Sequence, residues 1–328
     1  MRNLTFIVLL LAQAAFASPY HYIRLGHSGD AASHPTPGIA LMGGGDDIDD
    51  AFRWLCRKGD GGDFLILRAR GDDDYNSYVN SLCKANSVST LIIPDRESAQ
   101  DPAVAAIIRQ SEVIFIAGGD QARYVNFWQG TPVQDAINAQ VAAGHPIGGT
   151  SAGLAILGQF SYGSLKDKDD DKPLGSAETL NNPYHQRVTL VRDFLKVPHM
   201  GNTITDSHFV KRDRLGRTLV FLARLMQDGW SSDPRSIAVD EKSAVLVEAD
   251  GGSSIVGKGR GAYFIRPTRP PKTCEGGIPL VFEAISVYHA PKNAHFSLPM
   301  WTGSGGATYT LSVVNGVVHS TQFQNSTY

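Results

Sequence analysis

Residues 145–158 read HPIGGTSAGLAILG. A short apolar segment runs into a single serine, Ser151, set between Gly149-Thr150 and Ala152-Gly153, and a helix-compatible run follows. This is the G-x-S-x-G spacing of a nucleophile elbow. There a strand turns sharply into a helix, and the strained backbone at the serine leaves no room for large neighbours. The plainer reading is a Gly-rich turn carrying an ordinary exposed serine. The segments around it choose between the two.

Upstream, GIALMGGG at residues 38–45 reads as a buried strand closing in a glycine turn. DDIDDAFRWLCRKG follows with helical periodicity. Ile48, Ala51, Phe52 and Leu55 share a face, and aspartates crowd the helix start, where the dipole favours them. Three more apolar runs, DFLILRA, STLIIP and EVIFIAGG, are separated by polar, helix-compatible segments, and the amphipathic VQDAINAQVAAG leads into PIGGTS. Strands that alternate with helices and show little polar alternation argue for a mostly parallel sheet covered by helices on both faces. In such α/β sheets ligands bind beyond the carboxyl ends of the strands. Three strands end there in conspicuous turns: Gly43-Gly44-Gly45, Gly118-Gly119-Asp120-Gln121, and Thr150-Ser151. A phosphate-cradling role for the triple glycine has no G-x-x-x-x-G-K-[ST] or G-x-G-x-x-G to support it.

SLKDKDDDKPLGSAE, residues 164–178, is charged and lacks apolar periodicity; it reads as a solvated loop, with a flap over the site as the alternative. From about residue 236 the pattern changes to short β-like runs, SIAVD, SAVLVE, GAYFI, FEAISVYH and TYTLSVV, interrupted by RPTRPPKTCEGGIP. This β-rich C-terminal part is expected to complete or extend the sheet, within one α/β domain covering residues 18–328.

With 42% hydrophobic and 19% charged residues over 328 positions, the chain suits a globular protein with a sizeable core. A net charge of −2 gives no reason to expect a nucleic-acid or anionic-membrane partner. The N-terminus differs from the rest. Arg2, an apolar run from Phe6 to Ala12 and the A-x-A site Ala15-Phe16-Ala17 form a secretory signal peptide over residues 1–17. The mature chain is expected to start near Ser18, secreted into an oxidising compartment. Asn325-Ser326-Thr327 is a glycosylation sequon close to the C-terminus. One disulfide and one leftover thiol is the simplest arrangement of Cys56, Cys83 and Cys274. Cys56 and Cys83 are the nearer pair in sequence, but spacing does not establish geometry. There is no C-x-x-C.

A serine hydroxyl needs a base to take its proton, usually a histidine oriented by a carboxylate. Of ten histidines, His208 has the most informative context. In ITDSHFVKRDRLGRTLVFLARL, residues 204–225, a strand-like Ile-Thr-Asp leads into His208 and a helix beginning near Lys211 follows. His208 thus stands at a second strand-to-helix junction, on the edge where Ser151 is placed.

G-G-D-Q at 118–121, G-T-S-A-G at 149–153, D-S-H-F-V-K-R-D-R-L-G-R at 206–217 and V-D-E at 239–241 together resemble the cyanophycinase and peptidase E family of serine peptidases. The likeness runs from about Gly38 to Tyr263, and four motifs in order are far more specific than one G-x-S-x-G. The resemblance implies a flavodoxin-like α/β fold related to class I glutamine amidotransferases, and hydrolysis of peptide or isopeptide bonds beside aspartyl residues without a cofactor. It implies Ser151 as nucleophile and His208 as general base. Glu241 is favoured as the acid, with Asp240 in reserve. The order Ser, His, Glu differs from the Ser, Asp, His of α/β-hydrolases, which disfavours a lipase or esterase.

A tetrahedral oxyanion needs two N–H donors. Ala152, after the nucleophile, is the usual one, and Gly119 is the second. Gln121, Asp206, Arg212, Arg214 and Arg217 match polar positions of the family's substrate pocket, where guanidinium groups suit a substrate carboxylate. An exposed basic helix face is the alternative for the arginines. Cyanophycinases carry glutamine just before the histidine, whereas this chain has Ser207, which puts cleavage of the cyanophycin polymer in question. No HExxH or His/Cys cluster suggests a metal. The expected partner is a substrate containing aspartyl residues, with no nucleic acid and no membrane, and homodimerisation is left open. The rival readings are a small-ester or amide hydrolase of the same fold and a catalytically silent secreted binding protein.

Overall fold

The computed structural model describes residues 19–168 and 172–328, so the expected signal segment lies outside the described residues. In chain order the first half carries β1 (His21–Gly26), β2 (Gly38–Met42), α1 (Asp49–Lys58), β3 (Asp63–Arg68), α2 (Asp74–Leu82), β4 (Ser87–Ile92), α3 (Pro102–Arg109), β5 (Val113–Ile116), α4 (Gln121–Trp128), α5 (Pro132–Ala142), β6 (Ile147–Thr150) and α6 (Ala152–Ala155). It continues with β7 (Phe160–Tyr162), α7 (Ser176–Asn181), β8 (Leu190–Arg192), β9 (Thr203–Asp206), α8 (Leu215–Gln227), β10 (Arg235–Val239), β11 (Ser243–Glu248) and β12 (Gly252–Gly257). The last strands are β13 (Ala262–Pro267), β14 (Phe282–Ala290), β15 (His295–Ser297), β16 (Thr302–Ser304), β17 (Ala307–Val314) and β18 (Val317–Ser320). Among the described residues no helix is long and apolar enough to cross a membrane.

The apolar runs become β2 to β6, almost entirely buried because layers cover both faces. They form a parallel block in the order β4-β3-β5-β6-β2. Leu41 of β2 and Ile116 of β5 flank Gly149 of β6 in register, so the turns beyond these three strands stand side by side. On one face α1 and α2 cover an aromatic cluster in which Phe52 and Phe115 approach to 4.7 Å between ring centres. Fully burying each such ring contributes roughly 1.5–3 kcal/mol. Cys56 in the last turn of α1 is bonded to Cys83 just beyond α2, with Cα atoms 5.9 Å apart, while Cys274 is free and buried. Closing that loop is worth on the order of 3 kcal/mol in the chain-entropy account. The other face packs against α3, α5 and the inner face of a second sheet.

The architecture is mixed α/β, and it differs from the expectation of one mostly parallel sheet. The first sheet has ten strands, with antiparallel β1 on one side of the parallel block and β11-β12-β15-β16 on the other. A second sheet of eight strands runs β18-β17-β14-β13-β10-β9-β7-β8, mostly antiparallel, and α8 is buried against it along most of its length. The cause is connection length. Late strands joined by tight turns, such as Gly251 between β11 and β12 or Gly316 between β17 and β18, can pair only with reversed neighbours. Between β10 in one sheet and β11 in the other, the chain crosses through Asp240-Glu241-Lys242.

Candidate active site

Ser151 follows the last residue of β6 with φ 53° and ψ −113°, a conformation that costs a non-glycine residue on the order of 1–3 kcal/mol. Neighbouring structure holds it there: its N–H donates to the Met42 carbonyl at 3.1 Å. The flanking glycines are set by close packing. A Cβ at Gly149 would lie 2.6 Å from the Gly153 backbone, and one at Gly153 would run into the Ile116 carbonyl. Small neighbours are therefore what let the elbow seat between β5 and β6.

Ser151 Oγ lies 2.7 Å from His208 Nε2, and His208 Nδ1 lies 2.6 Å from Glu241 Oε1. A carboxylate only accepts, so Nδ1 carries the proton and Nε2 is free to accept from the serine hydroxyl. His208 also has positive φ, 48°, and its N–H donates to the Gly43 carbonyl at 2.8 Å. Burial pushes its pKa down to about 4. The Glu241 hydrogen bond opposes the fall, and the charges of Arg212 and Arg214 deepen it. The imidazole is thus neutral at pH 7, as a base must be.

Three sequence readings are refined here. Of the adjacent acids only Glu241 meets the histidine; Asp240 Oδ1 accepts from the N–H groups of Val210 and Lys211, both at 3.0 Å, and so fixes the segment after His208. That segment stays non-helical up to Arg214, and the helix begins at Leu215 instead of near Lys211. The triple glycine, considered from sequence only for phosphate, instead makes room for this chain of groups. A Cβ on Gly44 (φ 90°) would collide with the His208 ring, and one on Gly45 would sit 3.1 Å from Glu241 Cβ. Three glycines at a strand end were the available signal, but nothing local to them names a histidine some 160 residues away.

On the other side of Ser151 lies the Gly118-Gly119 turn, where a Cβ at Gly118 would be 3.5 Å from Ser151 Cβ. Gly119 has φ 147°, and Tyr124 braces the turn by donating its hydroxyl to the Ala117 carbonyl at 2.8 Å. Asp120 caps α4 by accepting from Ala122 N–H at 2.9 Å, which leaves Gln121 half-buried at the helix start. Ala152 opens α6 directly after the serine, so its N–H is among those a helix start leaves without an intrahelical partner.

The proposed pocket arginines divide. Arg212 is exposed, its Nε 3.9 Å from Glu241 Oε1. Asp206, Arg214 and Arg217, expected to line the substrate pocket, are all buried and pair with one another. Asp206 accepts from Arg217 through both carboxylate oxygens, and from Thr218 Oγ1 at 2.9 Å. Arg214 donates to the Ser207 carbonyl at 2.8 Å and its hydroxyl at 3.2 Å. Burial alone would raise the Asp206 pKa, but the two guanidiniums hold it below the usual carboxylate range. These residues tie β9 to α8 beneath the histidine and are taken up by one another. The spacing of the arginines after His208 could not distinguish that from a solvated basic face.

A strained serine at a strand-to-helix elbow, a neutral histidine beside it and a carboxylate behind the histidine form the arrangement in which a serine hydroxyl can be activated as a nucleophile on an α/β sheet. Residues 66–251 match the model of Peptidase family S51, and the chain belongs to that family. Cyanophycinases of Trichormus variabilis and of Nostoc sp. are each 30% identical over 192 residues, 58% of this chain and 57% of theirs. That of Geminocystis herdmanii is 25% identical over 213 residues, 63% of this chain and 70% of its own. The chain thus matches the first two relatives over only 57% of their length. Among solved structures, a peptidase from an acI-B1 Actinobacterium aligns over 69% of this chain and 89% of its own, with 17% identity and a TM-score of 0.47.

Proposed function

We propose that this protein is a secreted serine peptidase that hydrolyses peptide or isopeptide bonds next to aspartyl residues through Ser151, His208 and Glu241. The observation that carries this reading is the unbroken chain Ser151 Oγ–His208 Nε2–Glu241 Oε1, at 2.7 and 2.6 Å. Ser151 attacks the scissile carbonyl as His208 takes its proton, and Glu241 holds the imidazole in the right tautomer and stabilises its cation. The N–H groups of Ala152 and Gly119 face the oxyanion. His208 then protonates the leaving amine, and water repeats the sequence on the acyl-enzyme. Arg212 and Gln121 are the substrate-binding candidates not taken up by Asp206.

We assign the fold to the flavodoxin-like, class I glutamine amidotransferase-like sheets, a reading supported by the parallel block β4-β3-β5-β6-β2, and take residues 18–328 as one domain. Secretion rests on the signal-type N-terminus, and the Cys56–Cys83 disulfide fits an oxidising compartment. A homodimer is compatible with this reading.

The test is labelling by a fluorophosphonate followed by kcat/KM on α- and β-aspartyl peptides, their asparaginyl counterparts and simple esters. Labelling with aspartyl peptides preferred is expected. No labelling would indicate a silent binding protein, and preference for esters would indicate the small-ester hydrolase. The pH profile adds a second check. Only neutral His208 accepts a proton, so kcat/KM should fall as pH drops through about 4 and stay level from there to neutrality. Arg212 disfavours the imidazolium, so Arg212→Gln should move this acidic limb to higher pH. A limb that stays in place would remove Arg212 from the electrostatics of the base.

A further inference from the structure

Along the carboxyl edge of the first sheet, four strand ends follow one another in space. Arg68 closes β3 and Arg70 follows it, Gly118-Gly119 lies beyond β5, Ser151 beyond β6, and Gly43–Gly45 with His208 beyond β2. The chain leaves β3 through α2 on one face of the sheet and leaves β5 through α4 on the other, and at such a divergence a crevice opens. Here it is a cleft of about 400 Å³ walled by Arg68, Arg70, the Gly118-Gly119 turn, Asp120, Arg123 and Tyr124. Its Gly118-Gly119 wall is the turn that also borders the nucleophile.

Three guanidiniums line this cleft against one carboxylate in its wall, that of Asp120. Arg123 lies 3.6 Å from Asp120, whose carboxylate is also occupied in capping α4. Arg68 is anchored by donating to the Asp72 carbonyl at 2.8 Å and its carboxylate at 3.3 Å, yet its Nε is buried with no hydrogen-bond partner. Arg70 is exposed and makes no ion pair among the described residues. Direction follows from proton transfer. His208 must deliver its proton to the leaving nitrogen, so the leaving group lies toward β2 and the acyl segment runs the opposite way, across Gly119 toward β3. Two strand spacings separate Ser151 from β3, about 10 Å. An extended substrate residue covers about 3.4 Å, and an arginine side chain bridges much of the remainder.

We propose that this cleft binds the side-chain carboxylate of the residue preceding the scissile aspartyl on the acyl side, so that the protein selects substrates with two consecutive acidic residues. The assignment rests on the acyl-transfer reading above for its direction, but binding can be tested apart from turnover. Ser151→Ala protein is titrated calorimetrically with N-acetyl-Asp-Asp and N-acetyl-Asn-Asp, with and without Arg70→Gln/Arg123→Gln. The diacid is expected to bind at least tenfold tighter than its Asn analogue, and the double substitution should erase that ratio, while Arg70→Lys/Arg123→Lys keeps part of it. In active protein, the ratio of kcat/KM for peptides bearing Asp or Asn before the scissile aspartyl should follow the same pattern; any general loss of activity cancels in that ratio. Equal binding of the two dipeptides, or a preference that survives the double Gln substitution, overturns the cleft. A binding preference lost on substitution, in a protein that hydrolyses nothing, supports the cleft and overturns the peptidase reading instead.

Discussion

Ser151→Ala and His208→Ala are each expected to lower kcat on aspartyl peptides by on the order of 10⁴-fold or more, with folding intact. Nucleophile and base act as one unit, so removing either forfeits the covalent route. Neither change should unfold the chain, because the elbow is held by the Met42 carbonyl and by glycine packing, not by the Ser151 hydroxyl. The order among the acids is the sharper part. Glu241→Gln puts an amide where His208 Nδ1 now meets a carboxylate oxygen at 2.6 Å. It can accept from that nitrogen through its oxygen, but it no longer stabilises the imidazolium, so a loss of roughly 10²–10⁴-fold is expected. Asp240→Asn keeps an acceptor for Val210 and Lys211 and should change kcat little. The measurement is kcat with thermal melts for the four variants. Asp240→Asn more damaging to turnover than Glu241→Gln would reassign the acid, and an active Ser151→Ala would remove the mechanism.

What the sequence makes legible here is local. Buried parallel strands announce themselves as unbroken apolar runs, and the elbow as glycines around a serine, because steric limits act within a few residues. Pairing is not local. Nothing in GIALM says that β2 lies beside β6 and not beside β3, or that β11 will flank it, since those neighbours are fixed by sheet packing. The late strands look alike in sequence, yet β10 and β11, separated by three residues, enter different sheets. Glu241 and Asp240 differ in role because that short crossing turns one carboxylate toward the imidazole and the other toward two backbone N–H groups. The arginines after His208 present the same difficulty in charge. Their spacing allows an open anion pocket or a buried pair, and only burial of Asp206 decides.

That difference has a measurable consequence. Asp206→Ala should lower stability by about 3–5 kcal/mol, because it leaves Arg217, 2% exposed, and Arg214, 8% exposed, as buried charges with no counterion. For a chain of this size the Tm should fall by on the order of 10 °C. The pair is not in itself a source of stability: desolvating both ions offsets most of their attraction. Asp206→Leu/Arg217→Met should therefore be more stable than Asp206→Ala, even though it removes more hydrogen bonds, and a double-mutant cycle should show strong coupling. Part of the Arg217 contribution will persist as packing, since its guanidinium lies 5.0 Å from the Tyr162 ring centre and 5.8 Å from that of Phe221. Activity should fall with stability, because β9 ends at Asp206 and His208 stands two residues further on. A substrate-binding Asp206 predicts the reverse pattern, an unchanged melting temperature with KM raised and kcat preserved. Melts and steady-state kinetics on the same three proteins separate the two, and an unshifted Tm in Asp206→Ala would return Asp206 and its arginines to the pocket.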